Sequence, residues 1–463
     1  MTTGKSDKSI ALPASWDLRP LGEVVKPTRP RIKPSEKPDL PFIGMENIEA
    51  HTMKLLGTVP AGTMKSSAVH FQPDDVLYGR LRPYLNKVYR PDFEGLCSAE
   101  FIVFPKAESI SSRYLQYFLN SSSFVSYTSH LNAGDRPRVD SEQLSPYPFP
   151  VAPYEEQNRI VAEIEKQFSR LDEAVANLKR VKANLKRYKA SVLKSAVEGK
   201  LTEVWRKQHP DIEPARKLLE RILAERRAKW SGRGKYTEPE AAGTNDLSPL
   251  LKDWVWARLE QLGLIVGGLT KNPKRAKFPK KLPYLRVANI YANELRLDEI
   301  EHIGVQASEL DKLLLQKGDL LVVEGNGSKD QIGRLAIWDG SIDPCVHQNH
   351  LIKVRLIVDV MNKWILFWLL SPVGRHYIEK FSSSTSGLYT LSVNKVGDLP
   401  IIVPPLAEQE QIIAEVERRL SVIEELEATV QANLTRAERL RQSVLANAFA
   451  GKLMRDSRRK VSA

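Results

Sequence analysis

The sequence predicts an α+β protein: two similar α/β modules separated by two long helices that form an antiparallel coiled coil, with pseudo-two-fold symmetry inside one polypeptide. Three observations lead there. The segment from Pro148-Phe149-Pro150-Val151-Ala152-Pro153-Tyr154-Glu155-Glu156-Gln157 to Gly199-Lys200-Leu201 recurs as Pro400-Ile401-Ile402-Val403-Pro404-Pro405-Leu406-Ala407-Glu408-Gln409 to Gly451-Lys452-Leu453, without a gap, at a constant separation of 252 positions. An in-register duplication of this kind makes two equivalent elements in one chain. Both copies carry an unbroken seven-residue apolar repeat, and each is preceded by about 150 residues of short apolar runs punctuated by Gly, Pro and Asp, which is the pattern of a mixed module.

The elements follow in order. Residues 1–152 are the first module. Phe42-Ile43, Val76-Leu77-Tyr78 and Phe101-Ile102-Val103-Phe104 read as strands, and Tyr114 to Asn120 as a helix after the last of them. Residues 153–201 are the first repeated helix, with Ile164, Leu171, Leu178, Leu185 and Val192 along one seam and Val161, Phe168, Val175 and Ala196 beside them. Residues 202–249 are a charged helical segment, Ala215 to Trp230, and a Gly/Pro-bearing linker from Ser231 to Pro249. Residues 250–404 are the second module, with strands at Leu320-Leu321-Val322-Val323 and Leu351-Ile352-Lys353-Val354 and a helix at Trp364 to Leu370. Residues 405–463 are the second repeated helix and a basic tail. Its seam is Val416, Ile423, Val430, Ala437 and Val444, flanked by Ile413, Leu420, Leu434 and Ala448. Pro153 and Pro405 mark the helix starts, and Gly199 and Gly451 the ends. Each helix of about 44 residues is roughly 65 Å long; its stripe is expected to meet the other in an antiparallel pair, the alternative being that each helix folds back onto its own module. Upstream, Trp16 with Leu21-Gly22 is matched to Trp256 with Leu262-Gly263, and Asp75-Val76-Leu77 to Asp319-Leu320-Leu321.

Composition narrows the function. Apolar residues make up 42% and charged residues 27%, values of an ordinary globular protein. No secretory leader pattern opens the chain, and the densest apolar run, Trp364 to Leu370, is too short to span a bilayer; the expectation is a cytoplasmic protein with no membrane partner. Lysine and arginine number 69 against 56 acidic residues, a net charge of +13, which suits a polyanion. Cys97 and Cys345 have no metal-spaced neighbours and read as buried apolar thiols. Enzyme readings fail one by one. Glu324 to Lys329 lacks P-loop spacing, Gly263 to Gly268 makes no nucleotide fingerprint, and no Asn-Pro-Pro-aromatic tetrad occurs. Pro73-Asp74-Asp75 reads as a turn at the head of a strand rather than a nuclease motif. No catalytic centre, metal site or cofactor is expected in this chain.

The remaining chemistry sits in two pairs of polar loops at matching places. In the first module these are Gly79 to Lys87, with Arg80, Arg82, Tyr84, Asn86 and Lys87, and Asn132 to Arg138, with Asn132, Arg136 and Arg138. In the second they are Glu324 to Arg334, with Asn326, Ser328, Lys329, Gln331 and Arg334, and Ser382 to Thr390, with Ser384, Thr385 and Tyr389. Arg, Asn, Gln, Ser and Thr are the side chains that pair with base edges. A rival from another class is a scaffold for acidic protein partners, which predicts no preference among duplexes.

On Pro405-Leu406-Ala407-Glu408-Gln409, its looser copy Pro153-Tyr154-Glu155-Glu156-Gln157, and the helix ends Ser191-Val192-Leu193…Gly199-Lys200-Leu201-Thr202 and Ser443-Val444-Leu445…Gly451-Lys452-Leu453, the chain resembles the specificity subunit of type I restriction-modification enzymes. The resemblance implies two target recognition domains, each reading half of a bipartite asymmetric double-stranded DNA site across a spacer set by the helices. It implies two methyltransferase (modification) subunits that methylate adenine N6, and restriction/translocase subunits that cleave. S-adenosylmethionine, ATP and Mg2+ then belong to those partners. The first copy's Tyr-Glu in place of Leu-Ala departs from the pattern and bears on one methyltransferase contact.

Overall fold

The computed structural model describes residues 12–27, 30–230, 235–243, 247–385 and 387–454. The N-terminal eleven residues, parts of the linker, Ser386 and the basic tail from 455 lie outside the described residues. The chain divides into two compact units, Met1–Val181 with Thr429–Ala463, and Lys182–Ala428.

In unit 1, a five-stranded sheet is ordered Arg31–Ile32, Ala68–Phe71, Gly95–Ser98, Pro41–Ile43, Val59–Pro60. Beside it, Val76–Gly79 lies between Val88–Tyr89 and Phe101–Phe104, antiparallel to both. The last strand reads as a continuous apolar run because it is buried on both faces. Phe101 and Val103 face Ile43, Val69 and Phe71. Ile102 and Phe104 face Tyr114, Phe118 and Phe149, together with Ile160, Val161 and Ile164 of the first long helix and Leu445 and Ala448 of the second. Side-chain alternation along a strand accounts for this division.

Unit 2 repeats the plan. Leu320–Val323 lies between Leu351–Leu356 and Leu335–Ile337, with Gly263–Gly267 at the edge. A further sheet is ordered Glu301–Gly304, Lys281–Leu285, Val346–His347. Matching residues make matching bonds. The Tyr114 hydroxyl donates to the Pro150 carbonyl at 3.0 Å, and the Trp364 indole donates to the Ile402 carbonyl at 2.7 Å. Asp75 and Asp319 each accept the backbone N–H three residues earlier, from Gln72 and Gln316, at 2.8 Å; both are turn residues, as expected for the first. One sequence match is corrected. Asp17–Pro20 pairs with Pro148–Val151 starting from Asp17↔Val151, and Val255–Arg258 pairs with Pro400–Val403 starting from Val255↔Val403. Trp16 therefore corresponds to Trp254, not Trp256, and Leu21 to Leu259. Cys97 and Cys345 are buried free thiols, and burial pushes Cys345 up to about 12.

The long helices span Tyr154–Val197 and Leu406–Phe449. Pro153 and Pro405 each offer a carbonyl to the N–H groups three and four residues on, a use of proline where a missing donor costs nothing. Both helices end in the same motif: Gly199 and Gly451 have φ +67. Lys200 N–H reaches the Ser195 carbonyl and Lys452 N–H the Asn447 carbonyl, each at 2.9 Å, the left-handed cap that glycine adopts without strain. Of the seam residues, Ile164, Leu185, Val192, Val416, Ile423 and Val430 are buried, while Leu171, Leu178 and Val444 are half-buried. At the C-terminal end Leu445, fully buried, takes over from Val444, since a straight 3.6-residue helix drifts from a seven-residue repeat. Pairing within unit 1 runs antiparallel: Arg441 of the second helix is ion-paired with Asp172 and covers the Phe168 ring of the first, 4.1 Å from its centroid. The charged segment forms the helix Ala215–Ala228. It is more than a surface helix, since Leu218 and Ile222 are buried and Arg226 donates to the Gly263 carbonyl at 2.7 Å. Among the described residues no helix is long and apolar enough to cross a membrane.

Candidate nucleic-acid interface

In unit 1 the two predicted loops are stitched into one ledge. Arg82 N–H donates to the Pro137 carbonyl at 2.8 Å, Val139 N–H to the Arg80 carbonyl at 3.0 Å, and Leu81 bridges Arg138. The tight backbone at the strand end explains Gly79, where a Cβ would lie 2.8 Å from the Met45 methyl. Arg82 is held at φ +51, an uncommon conformation for a side-chain-bearing residue and costly by about 1–3 kcal/mol. It projects an exposed guanidinium. Tyr84 and Arg136 are exposed as well, and none of these three side chains has a polar partner among the described residues. Arg138 is exposed but forked onto Glu100, at 2.8 and 3.1 Å, and that hydrogen-bonded pairing raises its pKa.

Other residues of the ledge build it rather than face outward. Asn86 is 3% exposed at φ +46, and its amide donates to the Asn120 carbonyl at 3.4 Å. Burial under the helix Ser122–His130 removes it from any base, so the expectation for Asn86 is corrected to a turn residue. Lys87 Nζ is spent on the Met45 carbonyl at 2.5 Å, and Arg80 Nε on the Val139 carbonyl at 3.1 Å. Asn132 donates to the Arg138 carbonyl and, at 3.1 Å, to Gln143 Oε1, so it fastens the second loop.

Unit 2 solves the same problem with a small sheet. Gly325–Asn326 pairs with Leu388–Thr390, which pairs with Ser383–Thr385, placing Asn326 opposite Tyr389 and Tyr389 opposite Ser384. Ser384, Ser328 and Gln331 are exposed. Thr385 lies in the strand, its side chain outside the described residues. Asn326 Oδ1 accepts from Ser328 N–H at 2.9 Å, and Lys329 is paired with Glu379 at 3.2 Å. Arg334 is half-buried. Its guanidinium donates to the Val287 carbonyl at 2.9 Å and lies 4.8 Å from the centre of the Tyr291 ring, clamping the loop from beneath. Arg375, absent from the sequence reading, grips the other side through the Ile332 and Asp330 carbonyls at 2.5 and 3.2 Å.

The reading from sequence also missed the turn that supports each ledge. Glu100 in unit 1 holds Arg138; His350, at the matching place, sits 3.1 Å from Glu324, whose N–H donates to the His350 carbonyl at 2.9 Å. The polar run Gln348-Asn349-His350 between two apolar strands was the available signal. Just before it, His347 is fully buried, donating from Nδ1 to the Leu351 carbonyl at 2.9 Å, with Nε2 unpartnered among the described residues. Burial lowers its pKa from 6.5 to about 4. Between those values the unfolded chain binds a proton that the folded chain refuses. The stabilisation is thus complete above pH 6.5 and is lost as pH falls towards 4, by about 3 kcal/mol in all. Urea melts of wild type and His347→Leu should show that dependence for the wild type alone; equal slopes below pH 6.5 would contradict it.

Both units thus follow one plan, and in each two polar loops distant in sequence are joined through backbone hydrogen bonds. A family model for the type I restriction modification DNA specificity domain matches residues 13–187 and 251–436. The chain belongs to that family. Among curated relatives, the EcoDI specificity subunit of Escherichia coli is 29% identical over 227 residues, covering 47% of this chain and 50% of that protein. The EcoKI specificity subunit of E. coli K12 is 27% identical over 329 residues, covering 69% and 60%. The match thus spans half to three fifths of these relatives. The EcoEI specificity subunit of E. coli is 22% identical over 494 residues, covering 92% and 81%. Of solved structures, a chain from work on complex assembly and conformational transition of the type I R-M system aligns with TM-score 0.67 at 20% identity, covering 96% of this chain and 99% of that one. The HsdS subunit from Thermoanaerobacter tengcongensis aligns at 0.50 with 19% identity, covering 96% and 98%. These similarities support the fold.

Proposed function

We propose that the chain is the non-catalytic, sequence-reading subunit of a cytoplasmic type I restriction-modification complex, in which each unit reads one half of a bipartite, asymmetric duplex site. The observation that carries this reading is the recurrence, in both units, of two distant polar loops joined by backbone hydrogen bonds into one exposed face. Arg82, Tyr84 and Arg136 in unit 1, and Ser328, Gln331, Ser384 and Tyr389 in unit 2, are the proposed base-contacting set. The long helices set the spacer between half-sites, as dimer geometry does in other DNA readers. Two methyltransferase subunits, bringing S-adenosylmethionine, methylate adenine N6, and restriction/translocase subunits, using ATP and Mg2+, cleave. Flipping of the target base falls to the methyltransferases.

Arg82→Ala is the direct test. A bidentate base contact is worth about 1–3 kcal/mol, so the variant should lose roughly 10- to 100-fold affinity for its cognate duplex and little for a scrambled one. Equal weakening on every duplex would make Arg82 a phosphate contact, and no change would remove it from the set.

A further inference from the structure

We infer that Lys274, Lys277, Lys280 and Lys281 form a rigid phosphate-gripping platform beside the reading loops of unit 2, so that the two units share the electrostatic hold on DNA unequally. The inference rests on the DNA-reading function proposed above and adds a surface to it. Residues 271–281 run Lys-Asn-Pro-Lys-Arg-Ala-Lys-Phe-Pro-Lys-Lys, six basic residues without an acid. A run of like charge is ordinarily a solvated, mobile stretch. This one is braced. Pro273–Lys277 is a 3-10 helix with Asn272 Oδ1 accepting from Arg275 N–H at 3.3 Å. Arg275 turns inward, forked onto Glu309 at 2.8 and 3.0 Å and donating to the Thr270 and Gly304 carbonyls at 2.9 and 3.1 Å. Gly304 lets the backbones touch, since a Cβ there would fall 1.9 Å from the Arg275 carbonyl oxygen.

One cation anchors the segment and Lys271 is paired with Glu301 at 2.8 Å. The other four lysines are exposed, with no carboxylate partner among the described residues. Lys274 and Lys277, one 3-10 turn apart, share a side at a rise of about 6 Å. The segment is tied to the reading face through backbone. Leu269 N–H donates to the His347 carbonyl at 2.8 Å and Asn349 N–H to the Leu269 carbonyl at 2.9 Å. This is the turn whose His350 carbonyl accepts from Glu324. At Gly268 a Cβ would lie 2.3 Å from the carbonyl oxygens of His347 and Gln348, so the approach requires glycine. In unit 1 the stretch before the matching strand, residues 30–40, sets Arg31, Lys33 and Lys37 against Glu36 and Asp39, and Lys37 is already paired with Glu94 at 2.7 Å. Unpaired lysines on a fixed surface beside base-reading loops are what neutralises phosphates and releases counterions.

The test uses the full chain in complex with its methyltransferase subunits and measures duplex affinity between 50 and 200 mM salt. It compares wild type, K274Q/K277Q/K280Q/K281Q and the corresponding four-arginine variant. The steepness of the decline of log K with log salt should drop by about 0.9 for each phosphate that is no longer neutralised, hence by about 2–4 for the glutamine variant. Cognate and scrambled duplexes should weaken by the same factor, and the arginine variant should keep the wild-type slope. An unchanged slope overturns the platform. So does a glutamine variant that fails to assemble while keeping the wild-type slope in whatever complex forms, which would make the surface a protein contact. A wild-type complex without preference for any duplex rejects the sequence-reading function instead, and the slope still decides the platform.

Discussion

Glu408→Ala should destabilise unit 2 by about 3–5 kcal/mol, the cost of stripping the acceptor from a buried charged network. The carboxylate is fully buried in the second repeated motif. Its Oε1 accepts from the Thr202 hydroxyl and Arg206 Nε, and its Oε2 from the Trp254 indole, all at 2.8 Å. It thereby ties the start of the second long helix to the residues that follow the first and to Trp254, just ahead of the module's opening strand. Unit 1 supplies an internal control. At the matching place Glu156 is only half-buried, and the Trp16 indole N–H, corresponding to Trp254, is buried with no acceptor among the described residues. Glu156→Ala should therefore cost less than about 1 kcal/mol, the size of an exposed polar contact. Urea denaturation of the two variants, followed by tryptophan fluorescence, measures the contrast; equal losses would show that the network carries no special share of the stability.

Removing one heptad from each long helix, residues 175–181 together with 427–433, should shorten the preferred spacer by about 3 base pairs while leaving both half-sites intact. Seven helical residues rise about 10 Å, and a base pair advances about 3.4 Å along the duplex. The pair of deletions keeps the apolar repeat in phase and spares the Asp172–Arg441 pairing and the Phe168 contact beneath it. Methylation of a library of duplexes with graded spacers reads the result directly. Retention of the original spacer would sink the idea that the helices act as a ruler.

The helices and central strands were legible because their burial is written in periodicity: a seven-residue stripe for Ile164 to Val192, an unbroken apolar run for Phe101–Phe104. Helix boundaries were legible because Pro153, Pro405, Gly199 and Gly451 each have one backbone role. The candidate loops were visible as polar insertions, but the orientation of each side chain was not. Asn86 and Arg334 carry groups suited to base edges, yet one lies beneath a helix and the other over the Tyr291 ring, and only tertiary packing decides that. Pairing of the loops was equally hidden, since the Arg82–Pro137 and Asn326–Tyr389 contacts join residues more than fifty positions apart. The mistaken match of Trp16 to Trp256 arose because both modules contain tryptophan near a Leu-Gly step, and only strand register separates Trp254 from Trp256. The basic run from Lys271 to Lys281 was not singled out in the sequence; the inward turn of Arg275 onto Glu309 is what makes it a surface.

Genome-wide mapping of N6-methyladenine, in a host free of other adenine methyltransferases that expresses this chain with its methyltransferase subunit, tests the central claim most directly. The account predicts one split, asymmetric motif with a fixed spacer, lost when this chain is omitted and degenerate in one half only when Arg82 is replaced by alanine. Methylation at a continuous motif, or an unchanged pattern without this chain, would contradict it.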